Sequence, residues 1–301
     1  MISNFKELFE QLRSRAKKRV VGAWAVDDHT ITAIASAVKE GIVEGILVGD
    51  QDMILDVCKR ENIDPSTLKI VDNKVELKAI AQAVDMINAG EGDILMKGLC
   101  STDKYMRAIL NKEKGLLPPK AVLTHVTLLK NPLYHKFLLI SDIAIIPAPD
   151  LKQKIAITKY LVNTAHALGI EQPKVAMLAA SEQMLEGMPA CVEAAIIAKK
   201  GDRGEIPGCV IDGPLALDVA IDMESVKIKK IKSPVAGDAD CLVFRNIESG
   251  NVFYKCNSKL STGVEMAAMV VGAKVPCVLS SRADSIETKL NSIALAALSA
   301  K

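Results

Sequence analysis

Two short stretches of this chain hold the residue types that bind anions, each between an aliphatic run and a helical pattern. The first is Ser280, Ser281 and Arg282, after the run VPCVL (275–279). A helix N-terminus offers unpaired backbone N–H groups and the positive end of the helix dipole. Two hydroxyls and a guanidinium beside such an end make a phosphate cradle, and the guanidinium can grip phosphate through two parallel hydrogen bonds. Asp284 and Glu287 have the spacing of a capping box, which predicts that the helix starts there.

The second stretch is MKGLCST (96–102). It supplies Lys97, a turn glycine at Gly98, Ser101 as a cap, and Thr102. Lys104 and Arg107 follow on a helix expected to end near Lys114. Ser and Thr at helix starts most often serve only as caps. What raises these two junctions above that is the Lys or Arg each carries. No P-loop, no GxGxxG after a strand and no GxSxG elbow is present, so the common nucleotide and serine-hydrolase fingerprints are absent.

The elements that position these junctions alternate. Aliphatic strand candidates lie at 20–26, 45–48, 68–71, 93–96, 121–129, 137–146, 174–179, 208–211, 240–244 and 275–279, with helical patterns between most of them. That alternation predicts an α/β fold with mostly parallel sheets. Ligands in such folds bind outside the carboxyl ends of the strands, where both stretches fall. Leu151, Ile155, Val162 and Ala165 mark one helical stripe, entered after Asp150. Ile286, Leu290, Ile293 and Ala297 mark a second, amphipathic one. The two prolines of GLLPPK (115–120) predict a domain boundary. The basic run KIKKIK (227–232) reads as a solvated face beside an edge strand, or as a polyphosphate contact.

Composition narrows the class. Half of the 301 residues are hydrophobic but only 3 % are aromatic, so the core is built from Ala, Val, Ile and Leu. The net charge of +2 gives no general drive toward nucleic acid or a membrane surface. The seven cysteines lack metal-ligand or disulfide spacing, and most sit in apolar runs as small hydrophobes, which fits a reducing, cytoplasmic setting. The four histidines show no ligand spacing, so no metal site is expected. The N-terminus is basic and amphipathic, but Glu7 and Glu10 favour an ordinary first helix over a transit peptide.

DGPLALDVA (212–220), followed by SPVAGDADCLVFRNIESGN (233–251), resembles the phosphate acetyl/butyryltransferase family. MKGLCSTDKYMRAIL, PKVAMLAASEQ, GMPACVEAA and VLSSRADSIETK extend the resemblance over nearly the whole chain, and AASEQ with MPA is closer to the butyryl branch. The resemblance implies two α/β domains similar to isocitrate and isopropylmalate dehydrogenases, with the active cleft between them. The first would be discontinuous, residues 1–119 plus 270–301, and the second 120–269.

The implied reaction is acyl-CoA plus phosphate giving acyl phosphate plus CoA, by direct attack and without a metal. Coenzyme A is then a substrate, no cofactor is permanently bound, and the assembly is a homodimer or larger homo-oligomer. Ser281 and Arg282 match the family's catalytic Ser-Arg pair, and Arg107 matches an arginine of its helix. Lys97, Ser101, Thr102 and Ser280 join them as phosphate or CoA contacts. Lys259 stands where acetyl-transferring relatives have arginine, which loses the bidentate fork. The aspartate those relatives place seven residues after the serine is Thr288 here, leaving Asp284 or Glu287 as substitutes. Alternatives are acetyl rather than butyryl transfer, a non-catalytic CoA-binding relative, or a metal-dependent dehydrogenase using Asp212, Asp218 and Asp222.

Overall fold

The structure, a computed structural model, describes residues 1–279 and 284–301. It forms two compact units. The first comprises Phe5–Leu123 and Ala267–Lys301, the second Met1–Asn4 and Thr124–Met266.

In the first unit the chain runs α1 (Phe5–Arg13), β1 (Lys18–Ala23), α2 (Asp28–Lys39), β2 (Val43–Gly49), α3 (Gln51–Arg60), β3 (Leu68–Asp72), α4 (Glu76–Asn88), β4 (Ile94–Lys97) and α5 (Thr102–Ile109). It returns with β10 (Glu265–Val271), β11 (Cys277–Val278) and α11 (Ile286–Ser299). The strands lie in the order β3-β2-β1-β4-β11-β10. All neighbours are parallel except β10 with β11. β4 is buried along its whole length, as expected of a central parallel strand covered on both faces.

The second unit holds β5 (Thr124–Lys130), β6 (Leu138–Ser141), α6 (Leu151–Ala167), β7 (Lys174–Leu178), α7 (Pro189–Asp202), β8 (Val210–Leu215), α8 (Leu217–Ile221), α9 (Met223–Lys229), β9 (Cys241–Val243) and α10 (Ile247–Leu260). Its order is β5-β6-β9-β7-β8, parallel from β6 onward. Ile2 N–H donates to the carbonyl of Leu168 at 2.8 Å, which is why the first four residues belong here.

Several elements differ from the sequence expectation. The strand β10, EMAAMVV, was not among the predicted strands, because its Glu, Ala and Met favour helix over strand. Its burial on both faces decides otherwise. The predicted strand at 137–146 stops at Ser141, since buried Asp142 accepts the N–H groups of Ala144, Ile145 and Ile146 and bends the chain away. The cap of α11 is Ser285, whose hydroxyl accepts from Thr288 N–H at 3.1 Å, in place of an Asp284–Glu287 box. This helix is also buried almost all round from Lys289 to Leu298 rather than amphipathic, packed among α1, α2 and β11. α5 ends at Ile109, not near Lys114. The basic run closes α9 and continues past it as the solvated face expected of it. There Lys229 pairs with Glu182 and Asp218. The Asp150 cap of α6 does form, with Gln153 completing a capping box.

The distinctive motifs mostly build the scaffold of the second unit. Asp238, within the SPVAGDAD stretch, receives His135, Lys136 and Lys174. A Cβ on Gly250 would stand 2.4 Å from the carbonyl oxygen of Asp142, and Asn251 donates to the carbonyl of Ile143 at 3.1 Å. The glycine and asparagine of ESGN therefore dock α10 on the turn after β6.

Candidate active site

Three adjacent parallel strands of the first unit, β1, β4 and β11, end side by side, and a helix follows each. The caps are Asp27 for α2, Ser101 for α5 and Ser285 for α11. Each side-chain oxygen accepts a backbone N–H of its own first turn. Three helix N-termini after neighbouring strand ends make this the anion-favouring end of the unit.

The turn after β4 is fixed by close contact. Gly98 N–H donates to the carbonyl of Ala23 at 3.0 Å, and Leu99 N–H to that of Trp24 at 2.9 Å. Trp24 itself takes a left-handed conformation with φ 55°. Lys97, 7 % exposed, folds back and donates to the carbonyls of Gly98 and Cys100 at 3.1 and 2.9 Å. Tyr105 of α5 is fully buried, and its hydroxyl donates to the carbonyl of Leu95 at 3.0 Å, pinning the helix to β4.

On the α11 side, Lys289 is 4 % exposed and donates to the carbonyl of Asp284 at 3.2 Å. Burial pushes its pKa down and the Lys97 charge adds to that, while the carboxylates of Asp284 and Asp27 oppose it. Asp27 spends one oxygen on Thr30 N–H at 2.9 Å, and its other oxygen is buried with no hydrogen-bond partner among the described residues. Ser292 accepts from Ala268 N–H at 2.9 Å and so ties α11 to β10.

Of the residues expected from sequence, Lys97, Ser101, Thr102 and Arg107 come together at this end of the unit. Lys97 holds the turn and Ser101 caps α5. Thr102 is exposed at the first position of that helix. The side chain of Arg107 is 79 % exposed and pairs with Asp103 one turn earlier. Lys104 pairs with Glu76 at 2.6 Å. Lys259 lies in the other unit, exposed in the last turn of α10. Ser280, Ser281 and Arg282 lie outside the described residues. Of the two substitutes for the missing aspartate, Glu287 is exposed and Asp284 is half-buried. Lys289 and Asp27 were not singled out by sequence. A lysine inside the apolar stripe of α11 was the available signal for the first. Among the described residues no three His, Cys, Asp or Glu side chains are grouped to hold a metal, and no helix is long and apolar enough to cross a membrane.

Comparison with known proteins converges. The family model described as phosphate acetyl/butaryl transferase matches residues 73–297. The chain is 42 % identical over 298 residues to a phosphate butyryltransferase of Clostridium acetobutylicum, covering 99 % of this chain and 98 % of that protein. It is 39 % identical to a phosphate acetyltransferase of Thermotoga maritima, covering 97 % and 98 %. A branched-chain phosphotransacylase from Enterococcus faecalis V583 superimposes with a TM-score of 0.83 at 30 % identity, covering 94 % of this chain and 98 % of that one.

Proposed function

The chain belongs to the phosphate acetyl/butaryl transferase family, and from that premise we propose that it moves a short-chain acyl group, butyryl first, between coenzyme A and inorganic phosphate. The observation that carries this reading is the near-complete coverage at 42 % identity to a phosphate butyryltransferase. The trio of strand ends and helix N-termini supports it, because phosphate and the CoA phosphates are anions.

In this reading, phosphate held by Arg282 and Arg107 attacks the thioester carbonyl. A C–O bond to phosphate forms, the C–S bond breaks, and the thiolate leaves to be protonated as CoA. Fixed donors at the positions of developing charge supply the largest share of the acceleration. Ser281 is such a donor, toward the leaving sulfur. It does not act as a covalent nucleophile, since no histidine lies nearby in sequence to activate it. Holding both substrates together supplies much of the remainder. Lys97 serves by holding the turn after β4, and Lys289 by tying the Asp284 carbonyl just before α11. The i,i+4 pair of Arg107 with Asp103 is mostly solvent-exposed. Such pairs are worth roughly 0.3–0.5 kcal/mol, so little opposes the turning of Arg107 toward an anion.

Coenzyme A and phosphate are water-soluble, and a cytoplasmic homo-oligomer is part of the same reading. The deciding assay is phosphate-dependent release of free thiol from acetyl-, propionyl- and butyryl-CoA. Release that is fastest with butyryl-CoA and absent without phosphate is expected. Equal or faster release from acetyl-CoA moves the assignment to acetyl transfer, and no release from any thioester removes the acyltransferase reading.

A further inference from the structure

A cavity of about 690 Å³ lies at the carboxyl ends of β7 and β9, and every residue lining it belongs to the second unit. The volume falls in the range of small-molecule sites, roughly 300–1,000 Å³. One wall is a face of α10, where Ser249, Val252, Phe253 and Cys256 recur at helical spacing. Met188 before α7 and Leu217 at the start of α8 extend the apolar lining. Val252 is 62 % exposed, so this apolar wall stands uncovered.

The polar groups at the cavity's edge are engaged with one another, with one exception. The Asn246 side-chain oxygen accepts Ser249 N–H at 3.1 Å as the cap of α10, and the Ser249 hydroxyl donates to the Asn246 carbonyl at 2.9 Å. Arg245 is the exception. It is half-buried, and its side chain makes no ion pair or hydrogen bond with any described residue. Glu193, in the adjoining crevice, is taken by the buried Lys154. Asp150, which also acts on Lys154, accepts Gln153 N–H at 2.8 Å in the cap of α6. Burial pushes the Lys154 pKa down and the Arg245 charge adds to that, so an anion at the guanidinium would relieve a repulsion. What is left to be met is one planar donor fork beside an aliphatic surface. A carboxylate matches such a fork with two parallel hydrogen bonds. A dianionic phosphate would keep one charge uncompensated against an apolar wall. A second aliphatic surface would bury the guanidinium without a partner, which is costly.

We propose that this cavity binds a free linear aliphatic monocarboxylate, its chain lying against Met188, Leu217, Val252 and Phe253 and its carboxylate accepting from the Arg245 guanidinium. The site is complete within the second unit, and it stands whether or not the protein transfers acyl groups. The chain supplies affinity by leaving water, about fourfold for each methylene fully buried. The guanidinium supplies the choice of an anion over a neutral chain of the same length.

The test is calorimetric titration of the full chain with butanoate, hexanoate and 1-hexanol, together with alkylation of Cys256. That thiol lines the cavity and is exposed, whereas Cys209 is half-buried and the other five cysteines are buried, so its labelling reports on this wall. Hexanoate is expected to bind about fifteenfold tighter than butanoate, the scale of two buried methylenes. It should also bind about tenfold tighter than 1-hexanol, the scale of one charge-assisted contact, and should slow alkylation of Cys256. Arg245→Met should bring hexanoate down to the level of 1-hexanol, with Arg245→Lys keeping part of the preference. Val252→Trp, at an exposed helix position where the larger side chain need not disturb the core, should weaken both ligands alike. Alkylation of Cys256 at the same rate with and without saturating hexanoate would overturn the assignment. So would a preference for hexanoate over 1-hexanol that survives in Arg245→Met. Both the chain-length series and the Cys256 rate are read on the unaltered protein, so a variant that fails to fold leaves them decisive.

Discussion

A Cβ on Gly98 would stand 2.1 Å from the carbonyl oxygen of Trp24. The obstacle is backbone, and that backbone is held by Leu99 N–H and by the end of β1. It cannot rotate aside as a side chain would. Gly98→Ala is therefore expected to lower stability by about 1–3 kcal/mol, the usual cost of overpacking a rigid site. Activity should fall as well, because the β4 turn carries the cap of α5. Urea unfolding of the variant against the parent measures the first effect. A coincident midpoint would show that the turn can open without cost.

The same turn shows how much was legible in the sequence. The glycine, the Ser101 cap and the strand–helix order followed from residue types alone, because caps and tight turns are local. The buried oxygen of Asp27 was not legible. Its setting depends on β1 and β4 being neighbours, with paired residues such as Val20 and Ile94 lying 74 positions apart in the chain. Lys289 was hidden for a related reason. The periodicity of α11 suggested a polar face, whereas the return of the chain beside β4 covers that face too. β10 failed on propensity, since tertiary burial overrode its Ala and Met content.

Asp238 gives a pH prediction. Burial pushes its carboxyl up, but hydrogen bonds from Lys136, Lys174 and His135 outweigh that and hold it well below the ordinary carboxylate value. The folded pKa is thus depressed. The stabilisation is fully present above the unfolded value of about 3.9 and is lost as pH falls from there toward the folded value. Asp238→Asn should cost roughly 1–2 kcal/mol at neutral pH, charge-assisted bonds discounted for a side chain about one-third exposed. Below about pH 3 the difference should shrink. Denaturant midpoints at pH 7 and pH 3 provide the comparison, and a gap that widens in acid would contradict it.

Lys289 has the same sign of pH dependence from the opposite cause, a buried charge that burial disfavours. Burial lowers its folded pKa below the unfolded value of about 10.4. Between those two values the unfolded chain binds more protons, so stability rises with pH across that window. Lys289→Met keeps the volume and removes the buried charge, so it should abolish that rise without loss of stability near pH 7. Activity should still fall about tenfold, the cost of one lost hydrogen bond of about 1.4 kcal/mol, since the Asp284 carbonyl loses its tie. Stability measured between pH 7 and 10 in both proteins tests this. A parent whose stability does not change over that range would refute the depressed lysine.

The two arginines assigned to phosphate should separate kinetically. Arg282→Ala is expected to lower kcat/KM by about 10²–10³, the scale of one preorganised charge stabiliser, and to raise the KM for phosphate. Arg107 starts from a different state. Its side chain is mostly solvent-exposed and bonded to Asp103, so its engagement with phosphate requires a change of partner. That exchange costs only roughly 0.3–0.5 kcal/mol, too little to prevent it and enough to be measured. Arg107→Ala should raise the KM for phosphate about tenfold with a smaller change in kcat, because the group helps collect the anion before the transition state forms. Asp103→Ala frees Arg107 and should leave the KM for phosphate equal to or slightly below that of the parent. Initial rates over a phosphate titration at saturating butyryl-CoA distinguish the three variants. If Arg107→Ala leaves the phosphate dependence untouched, the exposed pair is only a helix-surface contact, and the anion is held by Arg282 with the helix N-termini.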